Sequence, residues 1–135
     1  MAANPSAPRI VNASAEDCAV MVAAMIGEGW TRTGPNGPIY LDEQLPDGTI
    51  YRRDCPWKSL GVDPPRLAQP FTSGVLIHRP AYQPSGVGAC VFASDQIYNR
   101  GDKVPATAIS AIDLEKRNGR WAESKVNLGF CIPNH

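Results

Sequence analysis

Ser14-Ala15-Glu16-Asp17-Cys18-Ala19-Val20-Met21-Val22-Ala23-Ala24-Met25-Ile26-Gly27 is the stretch on which the reading of the fold turns. Cys18, Met21, Val22, Met25 and Ile26 recur at helical spacing and make one continuous apolar stripe. Val20 and the alanines leave the remaining surface nearly as apolar. The pattern predicts a helix from about Ala15 to Gly27 or Gly29, buried on most sides, against a sheet. Ser14 is placed to cap it, and Asp17, three residues on, stands where a capping-box acid belongs. Glu16 and Asp17 also suit the positive end of the helix dipole.

Upstream, residues 1–13 are small and polar with two prolines, and read as a flexible leader before a single domain over residues 14–135. Asn12-Ala13-Ser14 is formally a glycosylation sequon, though helix capping explains the serine better. Downstream, Thr33 to Pro38 is a turn cluster. Ile39–Leu41 and Thr49–Arg52 are short strand candidates around the turn Leu45-Pro46-Asp47-Gly48, which predicts a hairpin. The segment from Cys55 to Pro70 carries four prolines and reads as a long irregular connection.

The second half reads as antiparallel sheet. Gly74–His78, Val87–Ser94, Pro105–Leu114 and Trp121–Phe130 are the strand candidates. Asn118-Gly119 is a strong hairpin signal between the last two. Val126, Leu128 and Phe130 alternate with polar or small residues, and Ile112 and Leu114 share a face on the partner strand. A bulge between Trp121 and Val126 is needed to bring Trp121 into phase. The expected architecture is α+β: an N-terminal helix packed on a curved antiparallel sheet of about four to six strands.

Length and composition fit one small globular domain: 135 residues, 43% hydrophobic. Lys and Arg number 13, as do Asp and Glu, so the net charge is zero. The basic spots Arg52-Arg53 and Lys116-Arg117 with Arg120 are short and have acids beside them, which argues against a nucleic-acid partner. No apolar run is long enough to span a membrane. Met1 to Pro5 lacks the basic and apolar regions of a signal peptide, so the chain is either cytosolic or a mature exported domain with an introduced Met.

Four dispersed cysteines, Cys18, Cys55, Cys90 and Cys131, bear on that choice. None are at zinc-knuckle spacing, so no metal or cofactor site is expected. Of the three possible pairings, Cys18–Cys55 and Cys90–Cys131 is favoured because it clips each half of the chain. Each bridge would close a loop of about forty residues and add roughly 3–4 kcal/mol in the chain-entropy model. An even, dispersed set favours an oxidising compartment, periplasmic or extracellular, over reduced core thiols.

Leu114-Glu115-Lys116-Arg117-Asn118-Gly119-Arg120-Trp121 resembles the final hairpin of NTF2-like domains and of small exported bacterial α+β domains of unknown function. The resemblance covers these residues alone. It implies a helix laid on a curved antiparallel sheet. NTF2-like domains usually have more N-terminal helices, and the Asp–His pair some of them carry has no counterpart at matching positions.

Candidate sites are few, and none assembles a catalytic set. Cys18 in a first helical turn with His78 as base is the minimum for thiol chemistry, but Glu16 and Asp17 oppose a thiolate and Cys18 lies on the buried stripe. His78 lacks a carboxylate fixed by spacing. Asp42, Glu43 and Asp95 read as solvated turn acids. Arg100-Gly101-Asp102 reads as a polar turn, and Gly86-Val87-Gly88 runs into a strand and offers no phosphate loop. Trp57 beside Arg52 and Arg53 in the proline-rich loop has the composition of a binding hot spot, or else plugs the edge of the core.

The function expected from these features is an exported, non-catalytic protein-binding module: an inhibitor, immunity or envelope-interaction protein. Its contact would centre on Arg52, Arg53 and Trp57. The alternative is an NTF2-like small-molecule binder or small enzyme, with a pocket between helix and sheet lined by aromatics such as Trp30, Tyr40, Phe92 or Trp121. A structural envelope subunit is a third class.

Overall fold

The structure, a computed structural model, describes residues 7–29, 38–124 and 131. One helix, α1 (Ala15–Gly27), packs on a curved antiparallel sheet. A small three-stranded sheet lies beside it. The main sheet comprises β4 (Gly74–Ile77), β5 (Ala81–Tyr82), β6 (Gly88–Ile97), β7 (Ala106–Arg117) and β8 (Arg120–Glu123). Its order is β4-β6-β7-β8, with β5 also pairing with β6. The small sheet is β1 (Ile10–Asn12), β3 (Ile50–Arg52) and β2 (Asp42–Gln44), in that order. The α+β architecture is the one the sequence predicts.

The helix begins where the cap residue stands. Ser14 Oγ accepts the Asp17 N–H at 3.0 Å. Val20, Met21 and Met25 are buried with Cys18, Ala23 and Ala24 against Val75, Ile77, Val91, Ile112 and Leu114. Val22 is buried as well, although its face of the helix borders a groove open to solvent. Ile26 is the exception in the stripe and lies half exposed near the last turn. At Gly27 a Cβ would fall 2.5 Å from the Glu123 Cβ. The absent side chain is what lets the end of α1 close on β8.

The sheet is organised by β6 and β7, which pair over ten residues from Gly88↔Glu115 to Ile97↔Ala106. The Asn118-Gly119 hairpin forms as expected. Both residues have positive φ, 52° and 76°, which is the type I′ geometry that matches the strand twist. The Leu45–Gly48 turn is also present, closed by the Leu45 N–H to Thr49 O at 2.8 Å.

Two expectations need correction. The hairpin's first strand is Asp42–Gln44, not Ile39–Leu41. Ile39 is fully buried and instead bridges to Leu67 and Val75. Residues 10–12 are no leader: they form β1, parallel to β3 with Ile10↔Ile50, Val11↔Tyr51 and Asn12↔Arg52. A three-residue strand, Ile10-Val11-Asn12, is too short for alternation to show in the sequence. Among the described residues the last strand is Arg120–Glu123. Val126, Leu128, Phe130, the end of the 121–126 stretch expected to hold a bulge, and Trp30 lie outside the described residues.

Both expected bridges are present: Cys18–Cys55 joins α1 to the loop after β3, and Cys90–Cys131 joins β6 to the C-terminal segment. No cysteine is free. Opening Cys18–Cys55 with a Cys18→Ser, Cys55→Ser variant should lower unfolding free energy in urea by about 2–5 kcal/mol. Alkylation of the native protein without reductant should modify no cysteine, and four adducts by mass spectrometry would contradict both bridges.

Candidate functional site

Two consecutive arginines at the end of β3 have opposite fates, because successive side chains on a strand point to opposite faces. Arg52 stays near the surface and donates to both oxygens of Asp42 from Nε and Nη2, at 2.8 and 3.0 Å. Arg53 turns inward and has no solvent exposure. Its guanidinium donates to the carbonyls of Ile77, Tyr40 and Leu41, and Nη2 donates to Glu43 Oε1 at 2.7 Å. Arg53 therefore cannot serve the exposed contact expected of it. It fastens the small sheet to the end of β4.

Glu43 is the acid that the spacing of the sequence could not assign to His78. Its Oε2 lies 2.9 Å from His78 Nδ1, and its Oε1 also accepts the Arg79 N–H at 3.0 Å. Burial raises the Glu43 carboxyl, but the His78 hydrogen bond, the Arg53 charge and the Arg79 N–H outweigh it and hold the group below the ordinary carboxylate range. On its other side, His78 Nε2 lies 2.6 Å from Ser94 Oγ. Residues far apart in sequence thus form a carboxylate–imidazole–hydroxyl chain.

The order is that of a nucleophile, its base and the group that orients the base. Its placement suits structure better than acyl transfer. Ser94 is 2% exposed. It sits in β6 between Leu76 of β4 and Ile109 of β7. Its neighbours on both sides are sheet strands, so the hydroxyl is held within the sheet and not in an open cleft.

A second polar group runs behind it. Asp17, expected to close a capping box, accepts instead from Tyr51 Oη at 2.8 Å and Tyr82 Oη at 2.6 Å. Burial and the Asp17 carboxylate push both phenols well above their ordinary value. Arg53 and Arg79 each lie 5.4 Å from the Tyr51 ring centre. Helix, small sheet and β5 are thereby joined through one carboxylate.

Trp57 takes the role of plug. The Cys55–Cys18 bridge draws its loop onto the helix, and the indole packs half buried against the core cluster with Leu60. Trp57 O accepts from Val62 and Leu60 N–H at 3.1 Å each, which orders the loop. Of the aromatics expected to line a pocket, Trp121 borders an open groove of about 510 Å³ beside Val22, Ala23, Ile26 and Leu60. Tyr40 hydrogen-bonds the Thr72 carbonyl, and Phe92 is partly exposed. Cys90, Asp113 and Cys131 are the one group of three potential metal ligands among the described residues, and both sulfurs belong to a disulfide.

The largest exposed aromatic was not singled out by the sequence. Phe71 is 71% exposed and has φ 61°, a left-handed conformation that is strained for a bulky residue. Such a residue costs about 1–3 kcal/mol and persists where surroundings dictate it. Here they do: Thr72 N–H and Oγ1–H both donate to Gln69 O, and Tyr40 Oη donates to Thr72 O. Ser73 Oγ accepts the Tyr98 N–H at 2.9 Å, and the Phe71 ring meets Tyr98 edge-on at 6.3 Å. The sequence signal, an aromatic inside the turn-forming run Pro70-Phe71-Thr72-Ser73-Gly74, is faint.

No family model matches the chain, and neither the curated proteins nor the solved structures compared with it give a match. The described residues contain no helix long and apolar enough to cross a membrane.

The Glu43 junction generates a pH signature. A carboxyl lowered in the folded state contributes stability above its ordinary value, 4.5, and loses it as pH falls through the folded value. Wild-type protein should lose stability relative to Glu43→Gln as pH drops below that point. At pH 7 the variant should be less stable by about 3 kcal/mol, because Arg53 is left buried without its counter-charge. Parallel urea-unfolding profiles for the two proteins from pH 7 to pH 3 would contradict this.

Proposed function

We propose that this protein is an exported, non-catalytic protein-binding module, of the inhibitor, immunity or envelope-interaction kind, acting in the periplasm or outside the cell. The two disulfides suggest an oxidising environment and so support export. Against catalysis stands the burial of Ser94 at the end of the Glu43–His78 chain.

The observation that carries the binding role is Phe71. A strained, hydrogen-bonded turn holds a large aromatic out into solvent, backed by a half-buried tyrosine. Nothing in folding favours that arrangement, since burial would gain apolar free energy and a glycine would remove the strain. A rigid aromatic displayed at low entropic cost is what a binding anchor requires. This reading moves the contact away from Arg53, which is interior, and from Trp57, which faces the core. It leaves Arg52 as a peripheral charge paired with Asp42.

Phe71→Gly separates display from folding. Stability should be unchanged or should rise by about 1 kcal/mol as the left-handed strain is relieved. A photo-crosslinking amino acid at position 71, expressed in the native host, should give a discrete protein adduct, and the same group at half-exposed Ile26 should not. Loss of stability in Phe71→Gly together with an adduct at 26 alone would overturn the proposal.

A further inference from the structure

The end of the sheet that carries the Phe71 turn also carries the connection from β6 to β7. Gly74 of β4 lies opposite Gln96, and Ala106 of β7 lies opposite Ile97, so both loops leave the sheet at one end. β6 runs between β4 and β7, which sets the loops about 10 Å apart, two strand spacings. Between them Ile97 is half exposed, and in the second loop Val104 is 77% exposed, more than Phe71 itself. Single apolar side chains on a surface mean little, but several gathered at one end mark a contact.

The two loops are fastened as one unit. The Tyr98 N–H donates to Ser73 Oγ at 2.9 Å, and the Phe71 ring meets Tyr98 edge-on. Beyond Tyr98 the chain closes a turn on itself: the Asp102 N–H donates to Asn99 O at 2.9 Å, and Asp102 Oδ2 accepts the Asn99 N–H at 3.1 Å. A loop ordered in advance loses little entropy when a partner seats on it.

Arg100 and Lys103 are exposed in this turn, and neither makes an ion pair with a described residue. The acid between them, Asp102, is engaged by the backbone of its own loop, and half-buried Asp95 pairs with neither. Cations without counter-charges beside apolar side chains are complementary to carboxylates across a contact. We propose that the Phe71 site extends across the end of the sheet to Val104, and that its occupant is a protein whose apolar cleft is rimmed by carboxylates. Phe71 and Val104 enter the cleft, and Arg100 and Lys103 stay at the rim, where charge steers encounter and fixes register. A flat lipid surface suits the site less well, because seating both apolar tips would bury the polar turn from Asn99 to Asp102 between them. The inference rests on the reading of Phe71 as an anchor, and adds to it a second anchor and the sign of the partner's charge.

A photo-crosslinking amino acid placed at position 71 or, in a second variant, at position 104 tests this in the native host, with Ile26 as the control position. Both tip positions should give an adduct of one and the same mass, and the partner peptide joined at 104 should carry Asp or Glu. Arg100→Glu with Lys103→Glu should weaken both adducts about tenfold or more at an unchanged circular dichroism spectrum, and Arg100→Gln with Lys103→Gln should weaken them less. An adduct at 71 with none at 104, or adducts that survive charge reversal, would overturn this inference and leave the Phe71 anchor standing. No adduct at either position would remove both. Wild-type protein that co-sediments with mixed phosphatidylcholine and phosphatidylglycerol vesicles, while Phe71→Gly does not, would overturn it by making the occupant a lipid surface.

Discussion

A guanidinium with no access to water governs how the two sheets of this protein meet. Burying a charge costs several kcal/mol unless it is paired and its hydrogens are satisfied. Arg53 meets that demand with one carboxylate, Glu43, and the carbonyls of Tyr40, Leu41 and Ile77. Those partners come from β2, the segment before it and the end of β4, so satisfying one side chain fixes three pieces of backbone. The same requirement explains Glu43, which neutralises Arg53, holds the His78 ring and receives the Arg79 N–H.

The disulfides complete what the polar junction begins. Cys55 follows Arg53 by two residues, so the bridge to Cys18 and the guanidinium together pin the chain as it leaves β3. The long proline-rich connection beyond it is then held close to the core by Trp57 and Leu60. Cys90–Cys131 does the same for the C-terminal segment at the middle of the sheet, where Asp113 also accepts the Cys131 N–H at 3.0 Å. The distal part of the β6–β7 pair lies outside both clips and exposes Ile97, Val104 and Ile109.

What the sequence reveals follows from the range of the forces involved. The helix, its Ser14 cap and the Asn118-Gly119 hairpin rest on local periodicity and backbone chemistry, and they are legible. The cysteine pairing was legible through chain topology. Other features depend on contacts between distant residues. Strand alternation says that one of Arg52 and Arg53 points inward, yet which one does is decided by Glu43 and three carbonyls that no spacing reveals. Asp17 sits at a capping position, but two tyrosines 34 and 65 residues away claim its carboxylate. The first strand of the hairpin was placed on apolar Ile39–Leu41, whereas tertiary contacts bury Ile39 and leave the ladder to Asp42–Gln44. Phe71 is missed because its importance lies in a φ angle.

The meeting of the two sheets depends on the coupling between Arg53 and Glu43, and a double-mutant cycle measures it directly. Urea unfolding of wild type, Arg53→Met, Glu43→Gln and the double variant isolates the pairwise energy. The junction described here predicts a coupling of about 2 kcal/mol or more, with the second substitution far less damaging once the first is in place. Costs that add to within about 0.5 kcal/mol would show that the two side chains act independently, and the buried pair would lose its place as the organiser of the fold.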